Sequence, residues 1–593
     1  MSNGKTYTGF EAWKYNLKMS LRMRLFILLA LTAIYLGFIA AYILLKYDAE
    51  EIKILAKWAA SAFWAHFLPK YPFNIVHEGE ILKVTAARYY EIFYEIGTEH
   101  INMLKTFAVR SLLVYLGYFP AIWFFKKKAN EHSAEDFRRG TEILTPKQLN
   151  KLTKKEKCYL KIGEVNMPVS AENKHCFIVG RPGTGKTVLT SALIEQIRAR
   201  GDKAVIYDFK GDYVSRFYDP EKDLLFNPLD SRSVSWNIFA DMHTPMDIIS
   251  MTSSLIPELP HTSQPFFNLA ARDVLNGAFS YLYSTNRKSY AALWEIISKA
   301  PEELSEILKN TKGGTAGAIH IADPANKQTG SVMSTLHLYS KIFEYMQDSE
   351  NGFSIGDWIK NGSGILFISN YAELKETLRP ILTVFIDTIA RNLLAQPENT
   401  ANRLFLMIDE FGTLQKMQKI IELLNLSRSK GGAVFLGIQD IGQIDNIYGK
   451  ELRSSIINAC STNVIFGVND PDTADFLSRK IGDREYKTPY SGFTVGSADE
   501  RNALSLNKQR VKEPLMISSE IMQLPDLKCF VRFPNFSGSV TSLKPKSYME
   551  LQPSFLMRPD LSLDNIFLEC REILSELNLK AREGKGAVEI EKF

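Results

Sequence analysis

The chain has 593 residues, 45% of them hydrophobic and 23% charged, with a net charge of +5. At about 100–200 residues per domain that length holds several domains, and the ordinary apolar-to-charged balance excludes wholesale disorder, collagen-like repeats and coiled-coil fibres. The positive surplus sits near the N-terminus and in residues 126–174 while residues 175–593 are slightly acidic, so bulk charge makes no case for nucleic-acid binding in the large C-terminal part.

Residues 1–24 carry Lys5, Lys14, Lys18, Arg22 and Arg24 against Glu11 alone. Residues 25–45, LFILLALTAIYLGFIAAYILL, then run without a charge, long enough to cross a hydrocarbon core. The run exceeds the apolar stretch of a cleavable signal, so it reads as an uncleaved anchor. A second span is predicted over residues 107–125, where Arg110 can snorkel to the headgroups and Lys126, Lys127 and Lys128 close the apolar run. Basic residues flank the outer side of both spans and residues 46–106 are nearly neutral, which places both termini in the cytoplasm and 46–106 in the periplasm, with Trp58, Trp64, Tyr89 and Tyr90 near the interface. The basic segment 126–174 reads as a collar that sets topology and touches anionic lipid, or as a nucleic-acid contact. Cys158, Cys176, Cys460, Cys529 and Cys570 form no CxxC pair and read as small buried hydrophobes in a reducing compartment.

Residues 175–242 form the next segment, which the following pattern predicts to be the first part of a nucleotide-binding domain. The apolar strand Cys176–Val179 runs into Gly180-Arg181-Pro182-Gly183-Thr184-Gly185-Lys186-Thr187, and a helical pattern follows. This fits G-x-x-x-x-G-K-[ST] in its strand–loop–helix setting. The glycines let backbone N–H groups and a helix N-terminus face the phosphates of ATP, Lys186 neutralises the β/γ charge, and the Thr187 hydroxyl ligates Mg²⁺. Residues 243–357 show helical periodicity over Gln264–Tyr283, Ser289–Lys299 and Ser331–Met346, and are predicted to form an all-α domain inserted into the nucleotide-binding core.

The core resumes over 358–550. The apolar run from Leu404 to Ile408 ends in Asp409 and Glu410, as a buried parallel strand does when it delivers one acid to Mg²⁺ and a second as general base to the attacking water. Ala204–Phe209, Gly364–Ser369, Ala433–Ile438 and Asn463–Val468 supply further strands, so the class is α/β with a doubly wound parallel sheet. Asp208 and Lys210 end one strand. Gln439 ends another, either sensing the γ-phosphate or satisfying a turn. Asp483–Lys512 reads as a polar loop, Cys529–Pro534 as a last strand, and residues 551–593 as a short helix near Asp564–Leu577 with a charged tail.

With these elements in this order, the chain resembles the TraD/TraG-like type IV coupling proteins. The resemblance rests on the two spans, GRPGTGKT, YDFKGDYVSRFY, the helical insertion, LMIDEF and GIQD, and above all on Asn227-Pro228-Leu229-Asp230-Ser231-Arg232 through Trp236-Asn237. It implies a RecA-like, hexameric P-loop ATPase of the bacterial inner membrane that drives single-stranded DNA and its attached relaxase toward a type IV secretion channel. It also implies Lys186 and Thr187 for phosphate and Mg²⁺, Asp409 and Glu410 for metal and water, and Gln439 as sensor. Arg428 matches the position of an arginine finger offered to a neighbouring subunit, a solvated basic turn being the other reading. The inserted helices match the domain thought to meet substrate or relaxosome. Two other functions fit these residues: an ATP-dependent recruitment platform for protein effectors, and an FtsK-like pump of double-stranded DNA.

Overall fold

The computed structural model describes residues 3–77, 80–133, 136–140, 142–258, 265–349, 352–399, 403–494 and 503–562. The chain forms two compact units, one of residues 1–139 and 485–512 and the other of residues 140–484 and 513–593.

In the first unit, the helix Asn3–Lys46 contains the whole charge-free run, and its Leu17–Lys46 portion is long and apolar enough to cross a membrane. So is Tyr94–Lys128, which is built from the helix Tyr94–Ser111, a tighter 3-10 stretch Leu112–Gly117 and the helix Tyr118–Ser133. This second helical stretch starts well before Phe107, because Glu95, Thr98, Glu99 and Lys105 are compatible with a helix but break the apolar pattern. The two stretches pack on each other: Tyr42 stacks on Phe107 at 4.1 Å between ring centroids, and Thr32 Oγ1 lies 3.0 Å from Tyr115 OH. Between them come the helix Ala49–Phe67, started by a capping box of Asp48 and Glu51, and the hairpin Pro72–His77 with Glu80–Thr85. Trp58 is buried and stacks on Tyr90, Trp64 stacks on Tyr71, and Tyr89 is buried. Trp58 and Tyr89 are the buried aromatics of the segment, with Trp64 and Tyr90 half-buried beside them. The region read from sequence as a polar loop is instead two strands, Asp483–Thr494 and Ala503–Pro514, in a three-stranded sheet with Asp136–Gly140. Their Tyr, Thr, Phe and Val residues favour extended backbone, a preference that the surrounding charged and small residues hide.

The second unit is organised by a ten-stranded sheet. In chain order its strands are β1 (Ile143–Leu144), β2 (Cys176–Val179), β3 (Lys203–Asp208), β4 (Leu224–Phe226), β5 (Ile365–Ser369), β6 (Leu404–Ile408), β7 (Gly432–Ile438), β8 (Thr462–Ile465), β9 (Lys528–Arg532) and β10 (Gly538–Ser542). They lie in the order β1-β10-β9-β8-β2-β7-β6-β3-β5-β4. From β8 to β4 every neighbouring pair is parallel, and only β8–β9 and β9–β10 are antiparallel. Alternate residues of the central strands enter two separate apolar clusters: Phe177, Val205, Leu406 and Val434 face one, and Ile178, Ile206, Met407 and Phe435 the other. Both faces are therefore covered, which is why these strands read as continuous apolar runs. The α/β class with a mostly parallel sheet is what the sequence predicts.

Between β4 and β5 the chain leaves the sheet for a run of helices that includes Pro245–Leu255, Phe266–Ser284, Tyr290–Ile297, Pro301–Lys309 and Lys327–Ser340. Their apolar faces join the cluster on one side of the sheet, so the insertion shares a core with it. Trp236 stands where the chain leaves. Its Nε1 donates to Asp241 Oδ2 at 2.9 Å, and the same carboxylate accepts from the N–H groups of Ile355 and Gly356, where the chain returns.

Candidate functional site

The strand registers bring four chain ends together. Val179 of β2 pairs with Ile438 of β7, Leu436 of β7 with Ile408 of β6, and Ile408 with Tyr207 of β3. Gly180, Gln439, Asp409 and Asp208 therefore emerge side by side at the carboxyl edge of the sheet, where open α/β sheets bind ligands. The cavity there is lined by Arg181, Pro182, Gly183, Gly185, Lys186 and Thr187 from the glycine-rich loop, by Phe209 and Lys210 after β3, and by Asp409, Glu410 and Gln439. Its volume of about 160 Å³ suits a phosphate chain and a cation, being below the ~300 Å³ at which pockets begin to enclose a drug-sized ligand.

The loop is shaped by Gly183 and Gly185, whose φ of 83° and 114° lie in the left-handed region that favours glycine. Gly180 and Thr184 do not line the cavity. Gly180 N–H donates to Ile438 O, and the buried Thr184 hydroxyl donates to Arg181 O at 2.7 Å, bracing the turn. Arg181 ties the loop outward, with Nη2 3.1 Å from Asp526 Oδ1 and Nη1 on Asn469 Oδ1 and Met522 O. Lys186 and Thr187 begin the helix Lys186–Arg200, whose first N–H groups point to the cavity.

Lys186 Nζ donates to the carbonyls of Gly180 and Ile438. Burial pulls its pKa down, and the Glu410 and Asp409 carboxylates pull it back up. Glu410 Oε2 accepts from Gln439 Nε2 at 2.8 Å, while Glu410 Oε1 is buried with no hydrogen-bond partner among the described residues. A buried carboxylate oxygen left in this way costs free energy unless a proton donor from a ligand or water reaches it. Burial raises the Glu410 pKa and Lys186 lowers it in part. Asp409 Oδ1 accepts from Tyr213 OH at 2.8 Å, which fixes the orientation of that carboxylate at the cavity. The other groups of the donor set, the Thr187 hydroxyl and Asp409, are hard oxygen ligands of the kind that hold Mg²⁺.

The roles of three supports are not visible in the sequence. Tyr213 positions Asp409, although it lies inside the YDFKGDYVSRFY stretch. Asp208 faces away from the cavity: its carboxylate accepts the N–H groups of Gly211, Tyr213 and Val214, and burial pushes its pKa up to about 7. Thr413 Oγ1 donates to Glu410 O at 2.7 Å and lies 3.0 Å from Tyr207 OH, fixing the turn after the acidic pair. Arg428 is not brought to the cavity. It precedes β7 at the amino edge, and the seven residues of that strand put it roughly 20 Å from Gln439 at ~3.3 Å per residue.

Residues 159–541 match the family model described as "Type IV secretion-system coupling protein DNA-binding domain". The chain belongs to this family. It is similar to the coupling protein TraD of Escherichia coli K12, 28% identical over 531 residues that cover 87% of this chain and 72% of TraD. It is also similar to the type IV secretion system-coupling protein VirD4 of Bartonella henselae, 24% identical over 47% of this chain and 46% of VirD4. Among solved structures, the bacterial conjugative coupling protein TrwB lacking its N-terminal segment superposes with a TM-score of 0.63 at 27% identity, over 71% of this chain and 97% of that one. TrwB has been crystallised with ADP and Mg²⁺ and with a non-hydrolysable ATP analogue. The chain is thus a coupling protein of conjugative transfer and type IV secretion, with an α/β nucleotide-site fold and two helical stretches able to cross a membrane.

Proposed function

We propose that this coupling protein is an ATP-driven motor of the bacterial inner membrane that engages single-stranded DNA with its attached relaxase and drives them toward the secretion channel. Lys186 and the loop N–H groups hold the phosphates. Thr187 and Asp409 hold Mg²⁺, which supplies charge neutralisation on the transferred phosphoryl group. Glu410 takes a proton from the attacking water at Oε1, and Gln439, bonded to Oε2, relays the state of the γ-phosphate to the loop after β7. The observation that carries this reading is the convergence of Lys186, Asp409, Glu410 and Gln439 on one cavity, with a buried Glu410 oxygen that no described residue bonds. In this reading the chain spans the membrane twice with both termini in the cytoplasm, a side supported by the basic residues flanking the outer ends of both apolar stretches, and the subunits form a hexamer in which Arg428 serves a neighbour.

The test is the ATPase rate of the full-length protein in detergent, with and without single-stranded and double-stranded DNA, at low and moderate salt. Salt-sensitive stimulation, stronger with single strands, is the expected result. Preferential stimulation by duplex would favour a double-stranded DNA pump, and hydrolysis indifferent to DNA would favour an effector-recruiting platform.

A further inference from the structure

We infer that Lys210 is a second phosphate-binding cation of the nucleotide site, placed to take the terminal phosphate of a nucleoside triphosphate and so to let the pocket distinguish triphosphate from diphosphate. The inference rests on the nucleotide reading above.

Lys210 lines the same cavity as Lys186, Asp409 and Glu410, and its charge acts on all three. It is exposed, and its ammonium makes no hydrogen bond, ion pair or ring contact with any described residue. The other two cations at the cavity are engaged, Lys186 on two carbonyls and Arg181 on Asp526, Asn469 and Met522. Lys210 alone presents an uncommitted positive charge.

The backbone beneath it is fixed. The Asp208 carboxylate holds the N–H groups of Gly211, Tyr213 and Val214, so the turn carrying Lys210 is bonded from inside. Gly211 has φ +80°, and Ser554 of the C-terminal segment packs where a Cβ would stand, 2.9 Å from it. Lys210 therefore projects from a braced turn, and only its four-carbon stem is free to adjust.

Strand order says which phosphate it meets. The glycine-rich loop follows β2, and β7 and β6 intervene before β3, which delivers Lys210. Strands are ~4.8 Å apart, so a phosphate chain that starts over the loop and runs along the carboxyl edge brings its far end toward Lys210. Charge balance points the same way. Arg181 and Lys186 together only balance Asp409 and Glu410, so Lys210 supplies the surplus positive charge at the cavity before any phosphate enters.

The experiment measures binding of ADP and of a non-hydrolysable ATP analogue, each with Mg²⁺, to the full-length protein and to Lys210→Ala, Lys210→Gln and Lys210→Arg. Loss of about tenfold or more in analogue affinity with less than about twofold loss for ADP, rescued by Lys210→Arg, is the expected result. Equal weakening for both nucleotides would make Lys210 a merely structural residue, and unchanged affinities would remove it from the site; either overturns the inference. Wild-type protein that binds neither nucleotide would instead overturn the nucleotide reading itself, an outcome distinct from wild-type binding with indifferent Lys210 variants.

Discussion

At the scale of single residues, the Glu410 carboxylate does two things at once: one oxygen is held by Gln439 and the other is buried with no bond to any described residue. A group of that kind is a base only while deprotonated. Burial raises its pKa above the ordinary 4.5, so turnover should fall as pH drops through that raised value, and binding of nucleotide should not follow the same curve. Glu410→Gln should bind ATP normally and lose turnover by about 10²-fold or more. Measuring kcat against pH together with nucleotide affinity checks both, and a Gln variant hydrolysing at the normal rate would remove Glu410 as the base. The glycine-rich loop and the acidic pair were legible because phosphate binding imposes a contiguous spacing on the first and an apolar run ending in acids on the second. Tyr213, Asp208 and Thr413 were not legible in their roles, because what each does depends on which strand ends lie adjacent, and register between β3, β6 and β7 is written in no local pattern.

At the scale of elements, the stretch Asn227–Arg232 acquires a physical meaning only with a segment more than 300 residues later. Residues 551–558 run across it. Leu551 N–H donates to Ser215 O, Leu556 N–H donates to Asp230 Oδ2, and Arg232 Nη1 donates to Pro553 O. Phe555 stacks on Tyr371 at 4.4 Å. Arg558, 6% exposed, donates to Pro228 O at 2.8 Å and to Tyr345 O at 2.6 Å, joining the signature loop to the end of the helical insertion. The sequence predicts a helix and tail over 551–593; residues 551–562 instead form this strap, and the helix predicted near Asp564–Leu577 lies outside the described residues. The strap was illegible because its bonds are made by main-chain groups and one arginine, with no periodicity to betray them. Arg558→Ala strips two buried carbonyls of a charged donor and should lower the stability of the large unit by about 2–4 kcal/mol. Asp560→Ala should cost under about 1 kcal/mol, since Asp560 is half exposed. Urea midpoints of the two variants against wild type measure the contrast, and equal small effects would show that the strap is not held by Arg558.

At the scale of the whole molecule, the architecture is readily legible because two long apolar stretches and a set of buried parallel strands are composition signals, whereas a contact between copies would leave no such mark. Arg428 shows why. Within one chain it stands at the amino edge of the sheet, roughly 20 Å from Gln439, so it cannot touch a phosphate held by its own Lys186. Any part it plays in hydrolysis has to be played on a second copy, which would separate it from Lys186, whose proposed part is played within its own chain. The two residues should therefore complement each other. Lys186→Ala leaves Arg428 intact but cannot hold the phosphates, and Arg428→Ala holds them but offers nothing to a neighbour, so each protein alone should lose ATPase activity by about 10²-fold or more. Mixing the two under conditions that allow subunits to exchange creates interfaces where the intact site of one chain meets the intact arginine of the other, and activity should return there. The recovery should grow with total protein concentration, as a bimolecular assembly requires. Activity that stays absent at every mixing ratio, or an Arg428→Ala protein that hydrolyses ATP normally, would leave Arg428 as the solvated basic turn that its sequence also allows.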